Sequence, residues 1–282
     1  MFSSLHVVRK YGSEDDPIVH ATAEALQQTA EQRQMFVLDT PSKCNDKTLV
    51  VAVGGDGTML GAMRIAAPNR SVAMGINLGR IGFLTDFVVP PFSASFQENV
   101  SKMFDDVLEF AGIVYPIESR LMLSAWHKSQ TTVAGNEISI SRDKSDSMIT
   151  YRLIFDDTDA GIYRANSLLV SSPSGSTAYA LSAGGALMMP AIQAMQVVPV
   201  ASQTMTARPI VISHDTRVEV HAWGGRIATR SDGLEWLCSN DNYTEKEPFV
   251  MFVQKHGSVR VLHNSGWNYF DMLAQKLGWI KE

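Results

Sequence analysis

The feature that most constrains the fold is a glycine-rich turn, Gly54-Gly55-Asp56-Gly57-Thr58, between two apolar segments. The segment before it, residues 48–53, is short, apolar and β-branched, which predicts a buried strand. The segment after it, residues 59–67, predicts a helix. At a strand-to-helix turn, backbone N–H groups and the positive end of the helix dipole converge, and glycine lets an anion approach closely. The turn therefore predicts a phosphate-binding site.

A carboxylate inside a phosphate site needs an explanation, because like charges repel. Asp56 could hold a metal ion that bridges phosphates, or accept the proton of a hydroxyl that attacks phosphorus. The alternative is a tight turn in which Asp56 only caps the next helix. Thr58 and the flanking strand and helix favour the phosphate site.

The first third of the chain alternates between strand and helix patterns. This alternation is typical of a doubly wound parallel sheet, whose ligands bind at the carboxyl ends of the strands. The glycine-rich turn and a second loop with two glycines, residues 77–86, both fall at that edge. The predicted strands are residues 5–9, 34–39, 49–53 and 71–76, and the predicted helices are residues 18–31, 59–67 and 96–108.

The pattern changes after about residue 115, where short β-branched or alternating segments are separated by turn residues. This is typical of an antiparallel sheet or sandwich. We predict an α/β domain over residues 1–113, a β domain over residues 114–267, and a C-terminal helix within residues 268–282 that packs back on the first domain. The predicted strands are residues 120–127, 132–141, 151–155, 167–171, 217–223, 249–254 and 258–262, with a short helix near residues 176–187.

Composition and net charge limit the classes of partner that we expect this chain to bind. The net charge of −5 argues against broad nucleic-acid binding. Residues 1–10 have no long apolar segment of a signal peptide, and no run of about 18 apolar residues occurs, so we expect a cytoplasmic protein with no membrane partner. Cys44 and Cys238 are far apart and the seven histidines have no ligand spacing, so we predict no metal site built from these residues.

A second segment, residues 171–185, follows an apolar strand and contains five serines, a threonine and a tyrosine. A helix cap needs only one hydroxyl, although capping remains the simpler interpretation. Small residues let a flat ring approach, and Tyr179 offers a ring face and a hydroxyl. We therefore predict a pocket for a flat polar ligand such as a nucleotide base. The side chains whose spacing allows a shared helix edge are Ser174, Thr177, Tyr179 and Ser182.

The dipeptide Asn136-Glu137 precedes an apolar strand segment. Both side chains are able to fix ribose or amide groups, Asn136 as donor and acceptor and Glu137 as acceptor. An exposed strand position is the alternative for this pair.

Four blocks together resemble the bacterial NAD kinase family: the glycine-rich turn, residues 77–86, Asn136-Glu137 and residues 172–185. The tail, Lys276-Leu277-Gly278-Trp279, also resembles the family's ending. The resemblance spans the chain from about Leu49 to Trp279. Residues 172–185, which we call the serine-rich block, are highly specific for this family, whereas lipid kinases also have the glycine-rich turn.

The resemblance implies a Rossmann-like domain and a β-sandwich domain with the site in the crevice between them. It implies transfer of a phosphoryl group from ATP, with a divalent metal such as Mg²⁺, to the 2′-hydroxyl of the adenosine ribose of NAD. It also implies a homodimer or homotetramer. Asp56 is the implied catalytic carboxylate, and Gly54, Gly55, Gly57 and Thr58 belong to the implied phosphate-facing loop. The residues implied to line the NAD pocket are Phe83, Asn136, Glu137, Thr177, Ala178, Tyr179 and Ser182.

The chain departs from the family pattern at Asn166-Ser167, where the family usually has Asp-Gly. The family's Asp contacts the nicotinamide end of the substrate; Asn keeps the shape but loses the charge. Arg164 lies at a variable family position, where Arg accompanies a preference for NAD over NADH.

Two other functions remain open from the sequence. Asn166 and Ser167 fit a non-catalytic NAD(P)-binding sensor, although Asp56 is not needed in a binder. A lipid kinase of the diacylglycerol type shares the glycine-rich turn, but the serine-rich block and the lack of a basic amphipathic segment argue against it. Ser231-Asp232-Gly233 also resembles a family loop near the site, with a hairpin turn as the alternative.

Overall fold

The computed structural model describes residues 2–13, 15–79, 82–89, 93–143 and 148–279. The chain divides into two units, each with its own hydrophobic core. One unit comprises Met1–Ser119 and Val259–Glu282, and the other comprises Arg120–Ser258.

The first unit begins with alternating strands and helices, as predicted. Its sheet is parallel: β2 pairs with β1, β1 with β3, β3 with β4 and β4 with β5. Every residue of β3 and β4 is buried, as expected for parallel strands covered on both faces. In chain order the elements are β1 (Ser4–Arg9), α1 (Pro17–Gln32), β2 (Phe36–Val37), β3 (Thr48–Val53), α2 (Asp56–Ala66), β4 (Val72–Asn77), β5 (Phe87–Val88) and α3 (Phe96–Phe110), with a 3₁₀ turn at Pro41–Lys43.

Local chemistry explains where α1 begins. The Asp16 carboxylate accepts the backbone N–H of Ile18 at 2.9 Å, and Pro17 occupies the first turn, where its missing N–H carries no penalty. Buried side chains of α1, among them Leu26, join Leu49 and Met74 of the sheet in the core of the first unit.

The second unit contains two antiparallel sheets. One has the order β13-β12-β11-β8-β15-β16; in the other, β10-β9-β14 continue to β17, and β17 pairs with β6, which pairs with β7. The elements are β6 (Ile117–His127), β7 (Gln130–Ala134), β8 (Glu137–Arg142), β9 (Ile149–Phe155), β10 (Thr158–Ala165), β11 (Ser167–Ser171), α4 (Tyr179–Ser182), β12 (Ala194–Val200), β13 (Ile210–Ser213), β14 (Val218–Trp223), β15 (Ile227–Ser231), β16 (Leu234–Cys238) and β17 (Phe249–Leu262).

The core of the second unit lies between its two sheets. Alternate residues of β9 and β14 are buried, and Tyr151 and Val220 share one core with Ile140 and Leu168 of the other sheet. This is the packing of a β-sandwich. The predicted fold class, an α/β domain with a β-sandwich domain, is confirmed.

The C-terminal end of the chain belongs to the first unit. Arg260–Leu262, at the end of β17, pairs with β4 in parallel. The last helix, α5 (Tyr269–Leu277), buries Met272, Leu273 and Ala274 and is part of the same unit, as predicted. No helix in the described ranges is long and apolar enough to cross a membrane.

Two strand predictions were wrong. Residues 132–141 were predicted as one strand, but β7 ends at Ala134 and β8 begins at Glu137, because Asp232 binds the intervening amides. Residues 249–254 and 258–262 were predicted as separate strands, but β17 is continuous through Lys255-His256-Gly257.

The short helix predicted near residues 176–187 is present but shorter than predicted. The structure has a 3₁₀ turn at Ser174–Thr177, followed by the single turn of α4. The strand predicted at residues 34–39 is reduced to β2. The strands that the sequence analysis missed are β5, β10, β12, β13, β15 and β16.

Candidate active site

The glycine-rich turn joins β3 to α2 in the first unit. Helix α2 begins at Asp56, three residues earlier than predicted, because the Gly55 carbonyl already accepts the N–H groups of Thr58 at 2.9 Å and Met59 at 3.1 Å. Gly55 is the N-cap and offers no side-chain cap. The turn therefore presents the amino end of a helix, with Asp56 in its first turn.

The space around the backbone differs between the glycines of this turn. Gly54 has φ +157°, and a Cβ there would overlap Oγ1 of Thr58. A Cβ at Gly55 or Gly57 would meet no described atom within 4 Å. The turn is therefore closed on the Gly54 side and open at Gly55 and Gly57.

The Asp56 carboxylate is held by a second loop rather than by its own helix. Oδ2 accepts the N–H of Phe83 at 2.8 Å, and Oδ1 accepts the N–H of Leu84 and the hydroxyl of Thr85, each at 3.1 Å. We call residues 82–86 the Asp56 loop. The capping alternative for Asp56 is wrong, because its carboxylate binds this loop.

The Asp56 loop approaches the carboxylate so closely that only glycine fits at its start. A Cβ at Gly82 would overlap both carboxylate oxygens of Asp56. The next residue, Phe83, binds the Asp56 carboxylate through its backbone N–H. Arg80 and Ile81, which belong to the predicted 77–86 motif, lie outside the described residues.

A buried histidine holds the far end of this loop. Nδ1 of His263 lies 2.9 Å from Oδ2 of Asp86, which also accepts the N–H of Asn264 at 3.2 Å. The imidazole stacks on Trp267 with 4.1 Å between ring centroids. His263 is therefore a hydrogen-bonded core residue that joins the loop to the segment before α5.

In the second unit, Asn136 and Glu137 lie at the corner between β7 and β8. The carboxylate of Asp232 accepts the N–H groups of Gly135 at 3.0 Å, Asn136 at 2.7 Å and Glu137 at 3.3 Å. Asp232 and Gly233 have φ of 50° and 77°, and they form the hairpin turn between β15 and β16. Asp232 is thus both a hairpin residue and the group that shapes the Asn136-Glu137 corner.

Glu137 is not at an exposed strand position: it is only 7% exposed. Burial, and secondly the charge of Asp232, raise the pKa of Glu137 from the usual 4.5 to about 7. Oε2 of Glu137 and Oδ1 of Asn136 are buried and have no hydrogen-bond partner among the described residues. Since buried polar atoms are normally paired, these two acceptors fit a polar ligand.

The serine-rich block packs directly against this corner. The N–H of Ser172 donates to the Asn136 carbonyl at 2.8 Å, and its hydroxyl donates to the Gly135 carbonyl at 2.5 Å. The same hydroxyl accepts the N–H of Gly175 at 3.2 Å. Two motifs that are far apart in the sequence are thereby brought together.

The predicted helix edge in the serine-rich block was wrong. Ala178, with φ −103° and ψ −130°, interrupts the helical turns, so Ser174, Thr177, Tyr179 and Ser182 do not share one edge. The Thr177 hydroxyl donates to the Ser174 carbonyl at 3.1 Å. Tyr179 is 46% exposed. The ring of Tyr179 is therefore available to a ligand, whereas the Thr177 hydroxyl is already engaged locally.

Sequence reasoning missed a charged residue beneath this block. Arg120, on β6, is buried, and its Nη1 lies 3.4 Å from Oγ of Ser174. A single arginine in an alternating strand carries no motif, so only the packed structure reveals it.

The family-variant positions lie where β10 ends and β11 begins. Arg164 and Asn166 are exposed, and the N–H of Asn166 donates to the Val200 carbonyl at 3.0 Å. Ser167 is buried and donates its hydroxyl to the Ile140 carbonyl at 2.9 Å. The substituted pair thus combines a strand-stabilising serine with an exposed asparagine.

Family models and relatives agree on the family. Residues 9–106 match the model of the ATP-NAD kinase N-terminal domain, and residues 135–248 match that of the ATP-NAD kinase C-terminal domain. The chain belongs to the ATP-NAD kinase family. It is 37% identical over 240 residues to the NAD kinase of Methylibium petroleiphilum, covering 82% of this chain and 75% of that protein. It is 31% identical over 305 residues to the NAD kinase of Thiobacillus denitrificans, covering 100% and 98%.

Solved structures share the fold. Yeast NADH kinase complexed with NADH superimposes with a TM-score of 0.79 at 18% identity, covering 100% of this chain and 89% of that one. An NAD kinase from Archaeoglobus fulgidus in complex with ATP gives 0.72 at 22% identity, covering 99% and 100%.

Proposed function

We propose that this protein is an NAD kinase, which transfers the γ-phosphoryl group of ATP to the 2′-hydroxyl of the adenosine ribose of NAD and forms NADP. The observation that carries the proposal is Asp56, a carboxylate fixed by three hydrogen bonds beside the open amino end of α2. A phosphate-binding turn alone has no use for a fixed carboxylate, whereas transfer to a hydroxyl does.

Asp56 acts by position more than by basicity. In a loose phosphoryl-transfer transition state, the attacking hydroxyl loses its proton late. A carboxylate held at both oxygens keeps one orientation, so it aligns the hydroxyl and receives the proton as the new O–P bond forms. The open backbone at Gly55 and Gly57 faces the phosphates.

NAD is bound by the corner and the serine-rich block of the second unit. The unpartnered acceptors, Oδ1 of Asn136 and Oε2 of Glu137, receive hydrogen bonds from ribose hydroxyls or the adenine amino group. The exposed ring of Tyr179 stacks on a base. Arg164 favours NAD over NADH. The further NAD-contacting residues are Phe83, Asn166, Ser174, Thr177, Ala178 and Ser182.

A divalent metal such as Mg²⁺, bound with ATP, would neutralise charge on the transferring phosphoryl group. Among the described residues, no group of three His, Cys, Asp or Glu side chains is arranged to hold a metal ion. Mg²⁺ commonly binds through substrate phosphates with one or two carboxylates and several waters, so the phosphates would supply most of its ligands here.

The protein works as a homodimer or homotetramer, as the family resemblance implies. Size-exclusion chromatography with light scattering at working concentration measures this directly.

The test is NADP formation from NAD, ATP and Mg²⁺ by the wild type and by Asp56→Asn. We expect Asp56→Asn to keep NAD binding and to lose about 100-fold or more in turnover. The matched control is Asp106→Asn, which changes an exposed carboxylate on α3. Turnover of Asp56→Asn within about tenfold of wild type would contradict the role of Asp56. A wild type that binds NAD without turnover would favour the sensor, and Asn166→Asp would then be tested.

A further inference from the structure

We propose that Thr85 is a positioning residue for Asp56. A hydrogen-bonded chain from Asn77 through Thr85 to Asp56 fixes the carboxylate and leaves Oδ2 as the oxygen that takes the substrate's proton. The proposal rests on the proposed NAD kinase function and specifies how its carboxylate is oriented.

The hydrogen bond between Asn77 and Thr85 is buried, the one between Thr85 and Asp56 is partly buried, and both lie within the first unit. Asn77 is 2% exposed and Thr85 is fully buried. Nδ2 of Asn77 lies 2.8 Å from Oγ1 of Thr85, which lies 3.1 Å from Oδ1 of Asp56. Shielding from water strengthens the buried bond between Asn77 and Thr85 most.

The direction of every bond in this chain is determined. The N–H of Gly79 can only donate, so the Asn77 atom that it meets at 2.6 Å is the amide oxygen. The amide nitrogen of Asn77 therefore faces Thr85 and donates to it. A threonine hydroxyl has one proton, and with Asn77 donating to it, that proton points to Asp56.

The two carboxylate oxygens of Asp56 are consequently unequal. Within the described part of the chain, Oδ1 accepts two hydrogen bonds, from Leu84 and Thr85, whereas Oδ2 accepts one, from Phe83. A carboxylate oxygen has two lone pairs in its plane, so Oδ2 keeps one for the substrate.

The chemical step then balances at named atoms. The ribose 2′-oxygen forms a bond to the γ-phosphorus, and the bond from that phosphorus to the bridging oxygen breaks, with its electron pair leaving on ADP. The proton of the 2′-hydroxyl passes to Oδ2 of Asp56. Thr85 does not touch the reacting atoms; it holds Oδ1 so that Oδ2 faces them.

The experiment compares kcat and KM for NAD in wild type, Thr85→Val, Thr85→Ser, Asp56→Asn and the double variant Thr85→Val/Asp56→Asn. Valine keeps the shape without the hydroxyl, and serine keeps the hydroxyl. We expect Thr85→Val to lower kcat by about 30-fold, with KM within about twofold, because a misplaced group costs turnover rather than binding. Thr85→Ser should stay within about threefold of wild type.

The double variant tests whether Thr85 acts through Asp56. If it does, Thr85→Val costs less than about twofold when Asp56 is already Asn, since coupled sites are non-additive. Multiplicative losses, or a Thr85→Ser variant as impaired as Thr85→Val, would overturn the proposal. If Thr85→Val does not fold, Thr85→Cys, whose thiol donates weakly, must show the same loss of kcat at unchanged KM.

Thermal unfolding of the same proteins separates this proposal from the proposed function. The drop in unfolding midpoint caused by Thr85→Val should be smaller in the Asp56→Asn background, because the contact is already weakened there. A wild type that forms no NADP refutes the kinase function and with it the catalytic role of Thr85. An active wild type with equal midpoint drops in both backgrounds refutes the Thr85–Asp56 coupling alone.

Discussion

At the scale of the single residue, Glu137 links site chemistry to stability. Its pKa of about 7 exceeds the usual 4.5, so the folded protein holds a proton that the unfolded chain releases. Below about pH 4.5 both states are protonated and no cost arises. As pH rises from about 4.5 to about 7, only the unfolded state ionises, and stability falls across that window.

Glu137→Gln should remove this pH-dependent loss. The shift corresponds to roughly 3 kcal/mol, so the free energy of unfolding of the variant, relative to wild type, should rise by about that amount between pH 4.5 and 8. Urea unfolding at both pH values measures it. Glu245→Gln, in an exposed loop, is the control. Equal pH dependence of Glu137→Gln and wild type would disprove the raised pKa.

Gly82→Ala should abolish most activity, because the new Cβ would occupy the space of the Asp56 carboxylate. We expect a loss of about 100-fold in kcat, since either Asp56 or its loop must move. Gly61→Ala, in α2, is the matched control, because its Cβ would meet Cγ1 of Val8 at an ordinary contact distance of 3.9 Å. NADP formation measures both variants. Similar kinetics for the two would show that the close approach at Gly82 is unimportant.

The sequence singled out those candidate site residues whose chemical type is unusual for their position. Asp56 in a glycine-rich turn and the Asn136-Glu137 pair could be recognised without coordinates. Thr85 and Arg120 could not, because their roles come from hydrogen bonds to residues 29 and 54 positions away. Asp232 was recognised only as a hairpin candidate, because its bonds to residues 135–137 depend on the pairing of β15 with β8.

At the scale of the secondary-structure element, continuous apolar segments predicted which residues form strands and helices, but the ends of those elements were harder to predict. Strand β3 and helix α3 follow from local pattern: β3 is a continuous apolar run buried on both faces, and α3 buries the one face that carries its apolar residues. The break between β7 and β8 does not, because a distant side chain causes it. Strands β15 and β16 mix polar and apolar residues, and only pairing within the sheet defines them.

Helix α5 allows a test of local signals in an element. Asn268 caps it by accepting the N–H groups of Phe270 at 2.9 Å and Asp271 at 3.2 Å. Asn268→Ala should lower the free energy of unfolding by about 1 kcal/mol, whereas Asn268→Asp, which keeps the capping oxygen, should lose little. Urea denaturation compares the two. Equal losses would show that the cap contributes nothing specific.

At the scale of the whole molecule, the two hydrophobic cores are not formed by two successive segments of the chain. The second unit is continuous, Arg120–Ser258, and its core uses only its own residues. The first unit needs both ends of the chain, because Leu262 joins Leu5 and Leu49 in its core. The two units therefore differ in whether they can be isolated as one segment.

We predict that the segment Arg120–Ser258 folds by itself. Its two sheets bury Tyr151 fully between them, and a sandwich of this size suffices for cooperative folding. The purified segment should show one sigmoidal urea transition, and Tyr151→Ala should cost about 3–5 kcal/mol or unfold it. Thr158→Ala, on an exposed strand position, serves as the control. A gradual, non-cooperative transition of the unsubstituted segment would mean that its core needs the rest of the chain.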